Sequence, residues 1–265
     1  MRESVWTKYC FSCLERRARR SEWRMNSVKC QPCWRGDLVS PRQSCPRPAR
    51  VPSSNSRCSR IEMVSSTEAL WVNGAVEGPT DEAVLRRVAD HVGIRIDSVH
   101  GMNGKPDLRQ HMAGYLNAAR LSPWVILVDL NHEAECAPIM REEWVRRPVP
   151  FLCFRIAVRQ VESWLLADRE RIARFLRVPV SQVSLNPDTL DNARDAMVAL
   201  AGRSRKTAIR EDMVPRPGGG RATGPAYASR LIEFVNREWR PGVAATRSES
   251  LRRCLGRLSD LCLHA

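Results

Sequence analysis

The chain has 265 residues, of which 43% are hydrophobic, so it can bury one sizeable core and form one domain or two. Its formal charge of +14 at pH 7 favours a polyanionic partner such as nucleic acid. No apolar run is long enough to cross a bilayer, and the Arg-rich start lacks the uninterrupted apolar region of a secretory signal, which argues against a membrane or secreted protein.

The positive charge is concentrated near the N-terminus. Residues 1–62 carry 14 Lys and Arg against 5 Asp and Glu, a net charge of +9, which leaves +5 for the rest of the chain. This stretch is rich in Arg, Ser and Pro and has little apolar periodicity, as is typical of disordered segments. We therefore predict a basic extension over 1–66, disordered or not native to the protein, an α/β core over 67–178, and a helical C-terminal region with a basic Gly-rich loop over 179–265.

Cysteines in the extension have the spacing of a zinc ribbon, C-x2-C followed by C-x2-C. They are Cys10, Cys13, Cys30 and Cys33. Four thiolates can close a tetrahedral Zn²⁺ site, but ribbon knuckles usually have glycine after the cysteines, where this chain has Leu14 and Trp34. A zinc module and a non-native extension therefore remain alternatives. The later cysteines lie in apolar or helical surroundings, which is typical of free thiols and fits a cytoplasmic protein.

From Trp71 onward, strand-like and helix-like segments alternate. The strand-like segments are ALWVNGAV (69–76), IRIDSVHG (94–101), PWVILVDL (123–130) and FLCFRIAV (151–158). The helix-like segments are TDEAVLRRVADHVG (80–93), KPDLRQHMAGYLNAAR (105–120), CAPIMREEWVRR (136–147) and QVESWLLADRERIARFL (160–176), the last a helix or a bent pair. The uninterrupted apolar run in PWVILVDL suits a strand buried on both faces. This alternation predicts an α/β fold with a mostly parallel sheet covered by helices on both faces.

The remaining sequence indicates helices separated by one basic loop. We predict helices over 188–202, 225–239 and 248–263, and a loop over 203–224 that contains six cationic residues and a glycine run. Backbone N–H groups of this loop and a helix start at Gly224 would suit phosphate binding, and Lys206 is the predicted phosphate contact. The spacing does not match a phosphate-loop motif, so a solvated loop is the alternative.

Acidic residues follow two of the predicted strands. Glu77 and Asp129 each end a strand, Asn131 lies two residues beyond Asp129, and Asp81 lies one helical turn after Glu77. Because ligands bind outside the carboxyl ends of parallel strands, and Mg²⁺ prefers oxygen ligands, these residues predict a Mg²⁺ site. The alternative is a well-capped helix start and an ordinary strand end, since acids in a first helical turn are favoured by the helix dipole.

Glu162 and Asp168 are further acidic candidates after the fourth strand. Their segment follows directly on FLCFRIAV and would lean toward the same edge of the sheet. Trp164 and Leu165 suggest a partly buried setting for Glu162, where an unpaired carboxylate is costly, so a functional role is favoured for Glu162. Solvated positions paired with nearby arginines are the alternative.

The strand ending in Glu-Gly, the following helix and the later acidic strand end resemble the TOPRIM fold of topoisomerases, primases and overcoming-lysogenisation-defect nucleases. The body from about Trp71 to Leu261 is also similar to an uncharacterised group of bacterial TOPRIM-like proteins. The resemblance implies that Glu77 is the acidic or general acid/base residue, that Asp129 is a metal ligand and that Asp81 is an additional ligand. The chain departs from the pattern at Asn131, where the motif has Asp.

The resemblance extends to function as an expectation. It implies a Mg²⁺-dependent, nuclease-like protein that acts on nucleic-acid phosphodiesters, in phage defence with a separately encoded ATPase. Together with Glu77, the residues predicted to serve catalysis are Glu162 and Lys206, which come from their own segments and not from the resemblance. Gln160 stands where the bacterial group has a second acid. Two such departures favour the competing hypothesis of a non-catalytic nucleic-acid-binding or regulatory protein with a degenerate site, and a zinc-containing nucleic-acid binder is a third.

Overall fold

A computed structural model describes residues 69–218 and 220–264 of the chain. The predicted basic extension and its four ribbon cysteines lie outside these residues, so the zinc hypothesis stays a prediction. The described residues form the predicted α/β fold, with a parallel sheet between layers of helices. Within them, no helix is both long and apolar enough to cross a membrane.

The sheet has four parallel strands in the order β2-β1-β3-β4. They are β1 (Leu70–Val76), β2 (Ile94–Gly101), β3 (Trp124–Asp129) and β4 (Leu152–Ala157). All four strands coincide with predicted segments. Ala75 of β1 lies opposite Ile126 of β3. Continuing this register places Glu77, just beyond β1, level with the last residues of β3.

The helices follow the strands and then close the C-terminal part. The first five are α1 (Pro79–His91), α2 (Lys105–Ala118), α3 (Ala137–Trp144), α4 (Val161–Ala167) and α5 (Arg169–Leu176). The others are α6 (Ala193–Gly202), α7 (Thr207–Met213), α8 (Tyr227–Arg237), α9 (Pro241–Ala244) and α10 (Glu249–His264). Short 3₁₀ turns at Val180–Gln182 and Pro187–Thr189 connect α5 to α6. The predicted helix after the fourth strand is thus a bent pair, α4 and α5.

Two hydrophobic cores sandwich the sheet. Val125 and Leu127 of β3 pack with α1 and the C-terminal helices, whereas Ile126 and Val128 pack with α2 and α3. Every residue of β3 is buried because successive side chains enter opposite cores. This arrangement confirms the prediction of a strand buried on both faces.

The chain reverses direction across the sheet between β1 and β3. From β1 it moves outward to β2 by way of α1, and it then returns past β1 to place β3 on the other side. Helix α1 packs on one face and α3 on the other. Helices that leave adjacent strands toward opposite faces open a crevice at the carboxyl ends of those strands, which is where open parallel sheets bind ligands. Glu77 and Asp129 stand at this crevice.

The predicted basic loop over 203–224 is wrong in its first half, because Thr207–Met213 forms α7. Ile209 and Met213 are four residues apart and buried, so one apolar stripe is enough to dock a basic segment as a helix. The following helix does not start at Gly224 but at Tyr227. Gly224 instead lets the chain pass close to the end of α7, since a Cβ there would lie 2.4 Å from the Asp212 carbonyl oxygen.

Candidate functional site

Four acidic residues from four separate segments meet at the crevice. Glu77 follows β1, Asp81 lies in the first turn of α1, Asp129 ends β3, and Glu162 lies in the first turn of α4. The carboxyls of Asp81 and Asp129 each feel the negative charges of the other members of the group. We call Glu77, Asp81, Asp129 and Glu162 the acidic edge. All four are residues that the sequence predicts as site residues.

Backbone N–H groups hold two of these carboxyls in place and favour the ionised form of a third. The Asp129 N–H donates to Glu77 Oε1 at 2.7 Å, and the Val161 N–H donates to Asp129 Oδ1 at 2.9 Å. The nearby Gly78 N–H lowers the pKa of Asp81, against the effect of burial. Each N–H belongs to the end of a strand or the start of a helix, where backbone donors lack partners within their own element. The acidic edge is therefore built into the strand ends and helix starts.

Glu162 is the most deeply placed glutamate of the edge, with 2% of the residue exposed. Its Oε1 accepts from Arg194 Nε at 2.8 Å and from the Tyr227 hydroxyl at 3.4 Å. Its Oε2 is buried and has no hydrogen-bond partner among residues 69–218 and 220–264. A buried carboxylate oxygen without a hydrogen bond lowers the stability of the fold. Its lone pairs are therefore available to bind a cation.

Arg194 and Tyr227 come from the starts of α6 and α8, far along the chain from the strands. Sequence reasoning missed both, because neither residue belongs to a local motif and only the packing of the C-terminal helices brings them to Glu162. Burial and the neighbouring Glu162 charge raise the pKa of the Tyr227 hydroxyl, so it stays protonated and can only donate to the carboxylate.

Lys105 is a buried cation that the sequence analysis also missed. Its ammonium lies 3.7 Å from Glu77 Oε1 and 3.1 Å from Glu133 Oε1, and it donates to the Asp129 carbonyl oxygen. It begins α2, so the crossing from β2 to β3 carries it over the end of β1. Its position as the first residue of a predicted helix was the only local signal. Lys105 ties the ends of β1 and β3 together.

The acids outnumber the cations at this edge, and their pKa values reflect it. Burial, followed by the charges of Glu162 and Glu77, raises the pKa of Asp81 to about 7. The pKa of Asp129 is raised well above its usual range by burial and then by Asp81, Glu162 and Glu77. Burial also raises the pKa of Glu77, although the Asp129 N–H and Lys105 oppose this. The edge therefore favours taking up either protons or a cation.

Asn131 and Gln160, the two departures from the acidic pattern, contact each other beside the edge. Gln160 Nε2 donates to Asn131 Oδ1 at 3.2 Å, and Gln160 Oε1 accepts from the Arg194 N–H at 3.0 Å. Asn131 has a left-handed backbone with φ of 49°, which asparagine tolerates better than most residues. Two carboxylates at these positions would repel, whereas the amides satisfy each other. The predicted ligand oxygen of Asn131 is thus already engaged by Gln160.

Lys206 and Asp168 stand apart from the acidic edge. Asp168 is fully buried and binds Arg240 through two guanidinium hydrogen bonds of 2.6 and 3.0 Å, which is a structural ion pair. Lys206 is exposed and immediately precedes α7. Arg194 begins α6 and Lys206 lies beyond its end, so roughly 15 Å of helix separates them. The structure therefore does not bring Lys206 to the acids.

The donors at the edge suit Mg²⁺, which takes oxygen ligands and binds proteins through one or two carboxylates while keeping several waters. The free Glu162 Oε2 and the repulsion among the acids both fit a bound cation. Among residues 69–218 and 220–264, no three His, Cys, Asp or Glu side chains have the spacing to hold a metal ion. The edge thus offers carboxylate donors that fit a hydrated ion rather than a closed, all-protein cage.

Comparison with protein-family models, curated proteins and solved structures finds no match to this chain. The resemblance to TOPRIM proteins therefore stays a prediction. The class that the structure itself defines is an α/β protein with a four-stranded parallel sheet and an acidic crevice at the point where the strand order reverses.

Proposed function

We propose that this chain is a Mg²⁺-dependent protein that acts on nucleic-acid phosphodiesters, as a nuclease-like enzyme. The observation that carries the proposal is the acidic edge itself, in which burial and mutual repulsion raise the pKa of Asp81 to about 7 at the crevice of the sheet. Clustered acids with displaced pKa values are typical of sites that bind cations or transfer protons.

Glu77, Asp81 and Asp129 are the carboxylates that would hold a hydrated ion, one or two of them by direct contact and the rest through its waters. When bound, Mg²⁺ would orient a phosphodiester and stabilise the negative charge that develops on it. Because the pKa of Asp81 lies near 7 without the ion, binding of Mg²⁺ near neutral pH would be coupled to loss of a proton from this carboxyl. Arg194 and Tyr227 position Glu162 through its Oε1, and Lys105 keeps the ends of β1 and β3 at a fixed separation.

The biological setting rests on resemblance alone. Similarity to overcoming-lysogenisation-defect nucleases favours a role in phage defence in the cytoplasm, with an ATPase encoded elsewhere, since the sequence contains no phosphate-loop motif. These remain expectations that follow from the resemblance.

A second candidate is a non-catalytic nucleic-acid-binding or regulatory protein. The hydrogen bond between Asn131 and Gln160 favours it, because two positions that would add negative charge are occupied by amides that satisfy each other. An edge with fewer charges would bind Mg²⁺ more weakly. In this case the fold would be kept for binding while the acids no longer support cleavage.

The first experiment is calorimetric titration of Mg²⁺ into the full chain and into Asp129→Asn. Asn keeps the size of Asp129 and an oxygen that can accept from the Val161 N–H, so the variant tests charge at the site. Asp97→Asn, a change at an exposed position of β2, is the matched control. We expect saturable binding that is lost in Asp129→Asn and kept in Asp97→Asn.

Cleavage of single- and double-stranded DNA and RNA is then measured in Mg²⁺ and in EDTA. Mg²⁺-dependent cleavage that disappears in Asp129→Asn supports the nuclease proposal. Binding of Mg²⁺ with no cleavage of any of these substrates would favour the regulatory candidate. Absence of binding at millimolar Mg²⁺ in a folded protein would overturn the metal site.

A further inference from the structure

A cleft with a cationic rim lies at the far end of the C-terminal helices from the acidic edge. It has a volume of about 570 Å³ and lies between the end of α5 and the connection from α6 to α7. Arg177, Arg205 and Lys206 stand on its rim, and Val178 and Pro179 form part of its apolar wall. We call these three cationic residues and this wall the basic cleft.

Among the described residues, the rim cations have no acidic partner, whereas several other arginines of the C-terminal helices do. Arg230 pairs with Asp212 and Glu233, and Arg247 pairs with Glu170. In the part of the chain that the structure describes, no ion pair neutralises any of the three rim cations, whereas Arg174, which also lines the cleft, is paired with Glu238. Three exposed, unneutralised cations around one cleft form a local positive field that attracts anions.

A backbone hydrogen bond places the two arginines next to each other at the cleft. Arg177 ends α5 in a left-handed conformation with φ of 56°. The Arg205 N–H donates to the Arg177 carbonyl oxygen at 3.4 Å, which links the end of α5 to the segment before α7. The backbones that carry the two guanidinium groups are therefore held close together, although their side chains are exposed.

We infer that the basic cleft binds the phosphate groups of a nucleic-acid strand. Guanidinium groups bind phosphate oxygens in pairs of parallel hydrogen bonds, and a lysine adds a mobile point charge. The apolar wall gives sugars and bases a surface to contact. The choice of nucleic acid rests on the proposed function, but the cleft does not depend on the Mg²⁺ site.

The position of the cleft separates binding from chemistry. Helix α6 has Arg194 of the acidic edge in its first turn and Arg205 just beyond its end. A helix of 10 residues is roughly 15 Å long, so a strand in the cleft does not touch the acidic edge at the same nucleotide. Lys206 thus contributes to substrate capture and not to the reaction at the acidic edge.

Lysine acylation gives a direct test, because the sequence has only four lysines: Lys8, Lys29, Lys105 and Lys206. The full chain in EDTA is treated with an acylating reagent, with and without a saturating single-stranded oligonucleotide, and the peptides are quantified by mass spectrometry. We expect exposed Lys206 to react and to be protected several-fold by the oligonucleotide, while buried Lys105 reacts little in either state. Equal reactivity of Lys206 in both states would overturn the inference.

Charge-matched variants measure the contribution of the cleft to affinity. The triple variant Arg177→Gln/Arg205→Gln/Lys206→Gln removes three charges from the cleft, and Arg252→Gln/Arg253→Gln/Arg257→Gln removes three from α10, where all three are paired with acids. For single strands, each neutralised phosphate contributes about 0.7 to the slope of log affinity against log salt. We expect the cleft variant to lose about 2 from this slope and the α10 variant to lose much less. Equal losses would overturn the inference.

Two further measurements complete the test. One distinguishes a nucleic-acid strand from free phosphate as the ligand, and the other distinguishes failure of the cleft from failure of the proposed metal chemistry. Inorganic phosphate or a mononucleotide that protects Lys206 as well as the oligonucleotide does, at the same phosphate concentration, would overturn a nucleic-acid strand as the ligand. Asp129→Asn should keep full protection of Lys206 by the oligonucleotide. Protection with no Mg²⁺ binding in the unmodified chain would mean that the cleft is real and that the proposed metal chemistry is not.

Discussion

Asp168 and the acidic edge are both buried and acidic, yet their surroundings are opposite. Asp168 accepts three hydrogen bonds from Arg240, two from the guanidinium and one from the backbone N–H. At the acidic edge, Asp81 and Asp129 face two further carboxylates, and one oxygen of Glu162 has no hydrogen-bond partner in the described part of the chain. The charge of Asp168 is therefore balanced by Arg240, whereas the charges of the acidic edge are not fully balanced by cations.

The contrast shows that burial of an acid does not by itself mark a functional site. Fold stability favours the Asp168 arrangement, in which every acceptor is matched with a donor. The acidic edge keeps like charges together at the cost of stability, which is expected where a ligand supplies the missing positive charge. The number of partners per buried carboxylate therefore separates the two roles.

The largest effect that would sharpen this contrast is the pH dependence of stability. Asp81 has a pKa of about 7 in the folded protein against 3.8 in an ordinary aspartate. Between about pH 4 and pH 7 the folded state keeps a proton that the unfolded chain releases, so the free energy of unfolding falls as pH rises. Above about pH 7 both states are ionised and the fall ends. The total loss is at most about 4 kcal/mol.

Urea denaturation of the unmodified chain and of Asp81→Asn between pH 4 and pH 8, in EDTA, checks this sign. Other carboxylates titrate in the same range, so the informative quantity is the difference in unfolding free energy between the two proteins. We expect the unmodified chain to lose stability relative to Asp81→Asn as pH rises. A difference that is constant with pH would mean that burial and the neighbouring carboxylates do not raise the pKa of Asp81.

The next largest effect tests the buried ion pair between Asp168 and Arg240. Arg240→Ala removes the guanidinium and leaves a fully buried carboxylate with only the backbone donor. Breaking a buried ion pair costs about 3–5 kcal/mol, and we expect about 3 kcal/mol because 39% of the Arg240 side chain is exposed and water can enter.

The matched control for this prediction is Arg252→Ala on α10. Arg252 pairs with Glu249 at the surface, where both side chains are about half exposed or more. Exposed pairs contribute less than about 1 kcal/mol, so urea denaturation should show little change. Similar losses in the two variants would mean that the Asp168 pair is no more important to the fold than a surface pair.

Much of the sheet, and the acids that follow or end β1 and β3, could be predicted from the sequence. The strands could be predicted because β1, β3 and β4 are short, mostly apolar runs, β2 begins with alternating apolar and polar residues, and β3 has no polar break before Asp129. Glu77 and Asp129 could be predicted as neighbours because parallel strands bring their carboxyl ends to one edge. These inferences needed only local patterns and the general geometry of parallel sheets.

The cationic side of the site could not be predicted in the same way. Arg194, Tyr227 and Lys105 reach the acids through the packing of helices whose order in space no local pattern specifies. Lys206 was predicted beside the acids for a related reason, since a basic, glycine-containing sequence indicates affinity for phosphate but not location. The helix α7 was hidden because only Ile209 and Met213 anchor an otherwise polar segment.

The smallest expected effect tests whether the hydrogen-bonded amides of Asn131 and Gln160 weaken Mg²⁺ binding at the acidic edge. Asn131→Asp places a carboxylate where Gln160 Nε2 already donates, and Asn and Asp are nearly equal in size. In EDTA the added charge should lower the free energy of unfolding by about 1 kcal/mol, because it joins like charges. In Mg²⁺ the same charge should tighten binding about tenfold, which corresponds to about 1.4 kcal/mol.

Calorimetry with Mg²⁺ and urea denaturation in EDTA, applied to Asn131→Asp and to the exposed control Asn117→Asp on α2, measure both changes. Tighter binding together with lower metal-free stability, absent from the control, would place residue 131 at the metal-binding part of the edge. Lower stability with unchanged Mg²⁺ affinity would show that the added charge is felt by the acids but not by the ion. In that event the ion is held on the Glu77 side of the crevice, and the amide pair serves to limit repulsion rather than to weaken a ligand set.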